Sequence, residues 1–178
     1  SEMCIRDRSE TNLGRVLKEL SADVFVGTKY SLGESDPLDL KTGVIQSVEA
    51  SLKRLGRERI DLIQLHDRIS LQTDVSAREV TVTDVLELRE GLDRLKSQGK
   101  VCYYGMTGVG EPNGIHDVVA SEMVSTVQTV YNLINSSAGH DSPPGFDMPD
   151  YGKLIDLASR RNVGVIVIRV LGAGALTG

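Results

Sequence analysis

Five short runs rich in Val and Ile recur along the chain, each separated from the next by a stretch with helical periodicity. They are VFVGTK at residues 24–29, IDLIQLH at 60–66, VCYYGMT at 101–107, STVQTVYN at 125–132 and VGVIVIRV at 163–170. Nearly continuous apolar runs of this length are what strands covered on both faces look like. Their alternation with helices predicts successive βα units on a parallel sheet, an α/β fold. The recurrence is supersecondary, since neither a solenoid-type repeat nor a low-complexity tract accompanies it.

The intervening stripes are explicit. Ile45, Val48, Leu52 and Leu55 share one helix face, closed by Gly56, a residue suited to the left-handed turn that ends helices. Val85, Leu88, Leu92 and Leu95 form a second stripe before Gly99. A third follows Pro149 and Asp150 through Tyr151, Leu154, Ile155 and Ala158, with Asn162 as its left-handed stop. Residues 135–149, NSSAGHDSPPGFDMP, read as a loop long enough to suggest a functional role. A barrel and an open doubly wound sheet both satisfy this order. The open form usually holds a dinucleotide with a GxGxxG turn after an early strand, and no such turn is present; GAG at 172–174 is too short.

A length of 178 residues with 40% hydrophobic content predicts one core and one domain. The net charge of −5, with basic residues scattered, argues against a nucleic-acid partner. Cys4 and Cys102 do not make a disulfide framework, which fits a reducing compartment. No apolar run approaches the roughly 18 residues of a membrane span, and the opening SEMCIRDR lacks the apolar centre of a secretory signal. The expectation is a soluble, cytoplasmic protein without a membrane partner.

Each strand-like run ends in a reactive or hydrogen-bonding residue: Lys29, His66, Thr107, Gln128 with Asn132, and Arg169. In parallel βα folds the carboxyl ends share one rim, where barrel enzymes keep their active sites. Singly these residues are ambiguous. A lysine that closes a strand commonly snorkels into water, a histidine there commonly caps, and Gln128 and Asn132 alone read as ordinary strand-end polar groups. Asp67 and Arg68, however, extend the polar mouth beside His66, and five polar strand ends on one rim predict a site. Cys102 reads as a small core residue, and His116 and His140 lack partners at metal-ligand spacing. Tyr30 adjoins Lys29 on a strand and so points to the opposite face, while Tyr103 and Tyr104 read as strand packing.

VFVGTKY followed by a helix and RIDLIQLHD resembles the third and fourth strands of aldo-keto reductases. LKSQGKVCYYGMTG is similar to that family's approach to its fifth strand, QTVYNLIN to its sixth, and NVGVIVIRVLGAGALTG to its seventh with the glycine-rich turn that follows. The resemblance implies a partial (β/α)8 TIM barrel with about strands 3 to 7 present, and an NAD(P)-dependent oxidoreductase. The reaction implied is hydride transfer between nicotinamide and a small-molecule aldehyde, ketone or sugar. NADP and NAD stay open as cofactor, and nothing speaks to oligomeric state.

Carried over residue by residue, Lys29 matches the lysine that lowers the pKa of a catalytic tyrosine, since an ammonium beside a phenol favours phenolate. His66 matches the histidine that orients the carbonyl and donates a hydrogen bond to its oxygen. Gln128 matches the residue that holds the nicotinamide carboxamide. Thr107 and Gly108 stand where many members have Ser-Asn for the same contact, so Gly108 removes one side-chain bond. Ile168 replaces the aromatic residue that stacks on nicotinamide in many relatives, with Arg169 and Val170 next, as in the sugar- or galactose-dehydrogenase-like branch. Leu171 and Gly172 match the backbone that approaches the pyrophosphate.

The family's tyrosine and aspartate precede the helix that begins SETNLGRVLKEL, where this chain has SEMCIRDR, which is similar to no part of the family. Residues 1–8 are therefore read as a foreign leader and 9–178 as an incomplete barrel domain. This predicts a marginally folded chain that does not reduce carbonyls by itself. Two other functions are weighed: a cofactor-binding regulatory barrel subunit, and a Schiff-base aldolase with Lys29 as nucleophile.

Overall fold

The structure, a computed structural model, describes residues 2–33 and 38–177, with side chains from residue 6 onward. Ser1 and Gly178, the outer limits of the expected leader and domain, lie outside the described residues. The elements alternate as expected. Helix α1 (Glu2–Leu20) precedes strand β1 (Gly27–Tyr30), α2 (Leu40–Leu55) and β2 (Ile60–Leu65). A small excursion, β3 (Arg68–Ile69) and β4 (Glu79–Val80), leads to α3 (Val82–Ser97) and β5 (Val101–Thr107). Then come α4 (Pro112–Ala120), β6 (Thr126–Val130), α5 (Leu154–Arg160) and β7 (Gly164–Ile168).

Local chemistry sets the helix ends. The Asp39 carboxylate accepts from the Thr42 N–H at 3.1 Å to start α2, which Gly56 ends in the left-handed region at φ 62°. Thr81 and Asp84 form a reciprocal capping box at the start of α3. The five main strands form one parallel sheet in the order β1-β2-β5-β6-β7, with β3 and β4 pairing apart. Register aligns Lys29 with Gln64, and Thr107 with Gln128. Strand alternation then separates two faces. Tyr30, Ile63, Leu65, Tyr104, Met106 and Val127 are buried in the core that joins the sheet to the helices, where Val48, Leu55, Leu88, Leu92 and Leu95 meet them. Gln64 and Gln128 lie on the other face with Tyr103.

The differences from expectation have local causes. β1 starts at Gly27 rather than 24, because Val24 and Phe25 are exposed and Val26 is held by the Asp61 carboxylate at 2.8 Å. Tyr103 is 51% exposed instead of packed. Loop 135–149 is partly built in: Ser137 is buried, donates to the Asn135 side-chain oxygen at 2.7 Å and accepts from the Tyr151 N–H at 3.0 Å. Helix α1 runs through Ser9 without a break. Its Gly14 crosses α2 so closely that a Cβ there would lie 2.3 Å from the Leu55 carbonyl oxygen. No helix among the described residues is long and apolar enough to cross a membrane.

Candidate active site at the strand-end rim

Lys29 and His66 are brought together by the first two strands. The His66 N–H donates to the Tyr30 carbonyl at 2.9 Å, so the residue after β2 is tied to the end of β1. Below them Asp67 is fully buried; it accepts the Ser31 hydroxyl at 2.8 Å and the Leu32 N–H at 3.0 Å, pinning the outgoing chain. Burial pushes the Asp67 carboxyl above its usual range despite these bonds. Burial also lowers the Lys29 ammonium below its ordinary value, because loss of water disfavours the charged form. Lys29, His66, Thr107 and Ile168 line one cavity of about 400 Å³, joined there by Arg68, Arg78 and Arg169. A second cavity of about 500 Å³ opens beside α1 and shares Lys29, His66 and Arg78.

Under this mouth lies a buried amide relay. Gln128 donates from Nε2 to Gln64 Oε1 at 2.7 Å, and its Oε1 accepts from the Thr107 hydroxyl at 3.3 Å. Gln64 in turn donates to Thr126 Oγ1 at 3.3 Å. Gly108 contributes shape. Its N–H donates to the Gln128 carbonyl at 2.7 Å, and a Cβ at this position would sit 2.5 Å from that oxygen. The absence of a side chain at 108 is thus what lets β5 close on β6.

The residues farther round the rim divide. Asn132 donates to the Arg169 carbonyl at 2.8 Å and accepts from the Ile134 and Asn135 N–H groups, so it latches the turn after β6 to the end of β7. Arg169 is exposed and holds a left-handed φ of 53°. Leu171 lines a different cavity, of about 600 Å³, with Tyr131 and His140. The Gly172 N–H is engaged by the Arg169 carbonyl at 2.9 Å. His116 contacts the Tyr151 carbonyl at 2.8 Å and His140 contacts the Tyr131 hydroxyl at 3.1 Å. Among the described residues no cluster of three metal-ligating side chains forms. Tyr30 is buried on the helix side, its phenol pushed upward chiefly by burial.

Sequence reasoning passed over two residues at this rim. Gln64 carried a signal, a polar residue inside an apolar run at the same strand parity as His66. Arg78 carried none, since it arrives through the β3–β4 excursion.

A parallel sheet with polar strand ends around one cavity defines an α/β protein with a barrel-type rim. The aldo/keto reductase family profile matches residues 6–178, and the chain belongs to that family. It is 27% identical, over all of its length, to 49% of a Schizosaccharomyces pombe protein named after the beta subunit of voltage-gated potassium channels. It is 26% identical over 73% of its length to 40% of the uncharacterized oxidoreductase YqkF of Bacillus subtilis. The chain thus spans about half or less of the length of these relatives. In fold it is similar to the aldo-keto reductase AKR11C1 of Bacillus halodurans, with TM-score 0.65 and 23% identity, covering 93% of this chain and 46% of that one. An aldo/keto reductase of Klebsiella pneumoniae, solved in complex with NADP and acetate, also gives 0.65, at 18% identity, over 94% and 50% of the two chains. The sheet is accordingly part of a (β/α)8 barrel.

Proposed function

We propose that this rim is the substrate and nicotinamide site of an NAD(P)-dependent oxidoreductase acting on a small aldehyde, ketone or sugar. The observation that carries the reading is the convergence of Lys29, His66, Thr107 and Ile168 on one cavity, with the Gln128 amide beneath it. Solved relatives in complex with NADP or NADPH support the cofactor class.

The residues fit a nicotinamide. After its bonds to Gln64 and Thr107, Gln128 keeps one amide hydrogen and one oxygen lone pair, the complement of a second carboxamide. Ile168 offers an apolar surface to a ring face, and Leu171 stands near the glycine turn for the phosphates. When bound, the cofactor supplies or accepts a hydride at the carbonyl carbon. His66 donates a hydrogen bond to the carbonyl oxygen, steadying negative charge as it develops. Lys29 holds a positive charge beside the same oxygen and depresses the pKa of a neighbouring phenol. Residues 1–8 contain no tyrosine to serve as that phenol.

The test is NADPH consumption against a panel of aldehydes and sugars by the protein containing these residues. Lys29→Met is expected to slow turnover by about 10²- to 10⁴-fold, and the alkaline limb of kcat is expected below the ordinary lysine value of 10.5. The 178-residue chain alone is expected to turn over more slowly still. Turnover insensitive to Lys29→Met contradicts the reading. The yeast relative's name supports a second one, a regulatory barrel subunit, for which cofactor binding without turnover in the whole protein is the expected result.

A further inference from the structure

One carboxylate is sealed beneath the rim. Asp67 directly follows His66 and is fully buried, a placement costly for a charge unless its surroundings answer it. They answer with donors. The Ser31 hydroxyl donates to one oxygen at 2.8 Å and the Leu32 N–H to the other at 3.0 Å, while the Ser31 oxygen itself accepts from the Gly33 N–H at 3.4 Å. Donors on both oxygens fit the ionised form, which only accepts. Burial raises this carboxyl, and the two bonds, with the charges of Arg78 and His66, pull the other way.

The same group ties three pieces of chain together. Ser31 and Leu32 are the first residues beyond β1 and His66 the first beyond β2, and the His66 N–H donates to the Tyr30 carbonyl at 2.9 Å. Asp67 thus carries the junction of the two strands past their last ladder pair, beside the residues that bear the site. The β3–β4 excursion packs on the same knot: a Cβ at Gly33 would lie 3.3 Å from the Val75 carbonyl oxygen and 3.5 Å from Cγ of Arg78. Around His66 the other charged groups lining its two cavities are Lys29 from β1, Arg6 and Glu10 from α1, Arg68 and Arg78 from the excursion, and Arg169 after β7. Glu10 is engaged by Arg54 and Thr28, and the Tyr30 phenol on the helix side also feels Asp67. Coupling is reciprocal: a charge on His66 that favours the Asp67 carboxylate is itself favoured by that carboxylate.

We propose that Asp67 is a positioning residue of this rim: its carboxylate binds the exits of β1 and β2 together beside Lys29 and favours the protonated His66 ring as hydrogen-bond donor to the substrate oxygen. The proposal rests on the oxidoreductase reading above for what His66 does there, and adds what holds it.

The test follows the histidine rings of the full chain by nuclear magnetic resonance between pH 4 and 9. Asp67→Asn keeps the size of the side chain and removes its charge; it is expected to lower the His66 midpoint by about 1 pH unit while His116 and His140 stay in place. Ser31→Ala loosens the clamp and leaves the charge, and is expected to move the His66 midpoint by less than about 0.3 pH unit. A carboxylate that merely fastens the fold would move that midpoint by similar amounts in both variants or in neither, and either result overturns the proposal. In the unaltered chain the Asp67 carboxyl is expected to titrate above the ordinary 3.8, with a second inflection of the His66 ring at the same pH. That measurement stands even if a variant folds poorly, and a single inflection overturns the proposal. NADPH titration of the same samples separates the two readings. NADPH binding with an unresponsive His66 removes only the role of Asp67; a responsive His66 without NADPH binding supports that role and removes only the oxidoreductase.

Discussion

Gln64 stands two residues before His66 on β2, buried, with its amide oxygen 2.7 Å from the Gln128 nitrogen. Replacing it by leucine leaves Gln128 short of a partner in a site with little water, and a side chain so released no longer presents its amide in one orientation. Gln64→Leu is therefore expected to weaken NADPH binding by about tenfold with little change in the far-ultraviolet dichroism; an unchanged dissociation constant refutes the relay. At Gly108 the expected effect is on stability. Gly108→Ala puts a Cβ against the Gln128 carbonyl and is expected to cost about 1 to 3 kcal/mol in urea unfolding. The site was legible in the sequence where it lay at strand ends, since Lys29, His66 and Thr107 fall at or next to the carboxyl ends of β1, β2 and β5; Gln128, expected at a strand end, is instead the middle residue of β6 and reaches Thr107 through its side chain. Gly108 was legible only as a missing side chain; the close approach that requires it is set by the pairing of two strands about 20 residues apart. Arg78 was not legible, because its place depends on a backbone bond to Arg68 that no local pattern announces.

At the scale of elements, α1 is fastened by one buried carboxylate. Glu10 accepts from the Arg54 guanidinium and the Thr28 hydroxyl, each at 2.6 Å, joining α1 to α2 and β1 at once. Glu10→Ala removes the shorter of the two carboxylate contacts of Arg54, which keeps Asp7 at 3.4 Å and the Ser51 hydroxyl at 3.0 Å, and is expected to lower stability by on the order of 1 kcal/mol. Strands β1 and β5 supply a pH dependence. Burial raises the Tyr30 phenol, and Tyr104 is pushed up to about 12 by burial and its bond to Asp93. A group whose folded pKa is raised gives its full stability below its unfolded pKa and loses it as pH climbs. Stability is thus expected to fall above pH 10.0, the ordinary tyrosine value, by up to about 1.4 kcal/mol per pH unit through Tyr30, with a smaller share from Tyr104, whose phenol is screened by solvent. Tyr30→Phe is expected to flatten that alkaline limb in urea midpoints measured from pH 8 to 11. Helices α2 and α3 were legible from their stripes, since Val48, Leu52, Leu55 and all four apolar residues of the second stripe are buried. The β3–β4 pair was not, because two-residue strands are too short to show a period.

For the whole molecule, the order of the sheet leaves β1 and β7 each paired on one side among the described residues. Apolar surface accompanies these edges: Val24 and Phe25 lead into β1, and Val170 and Leu171 follow β7, all four exposed. Open edges beside apolar patches invite pairing with another chain, so the 178-residue chain is expected to self-associate as its concentration rises in sedimentation experiments. A monomer that melts cooperatively contradicts this. What unites the scales is the claim that strand ends from four parts of the chain make one nicotinamide site over Lys29 and His66. The most direct test places the bound ring by magnetic resonance on the chain with labelled isoleucine and leucine methyls. Saturable nuclear Overhauser contacts between nicotinamide protons and the Ile168 methyls are the expected result. Contacts to Leu171 or Leu176 in the neighbouring cavity, or no saturable contact at all, contradict the account.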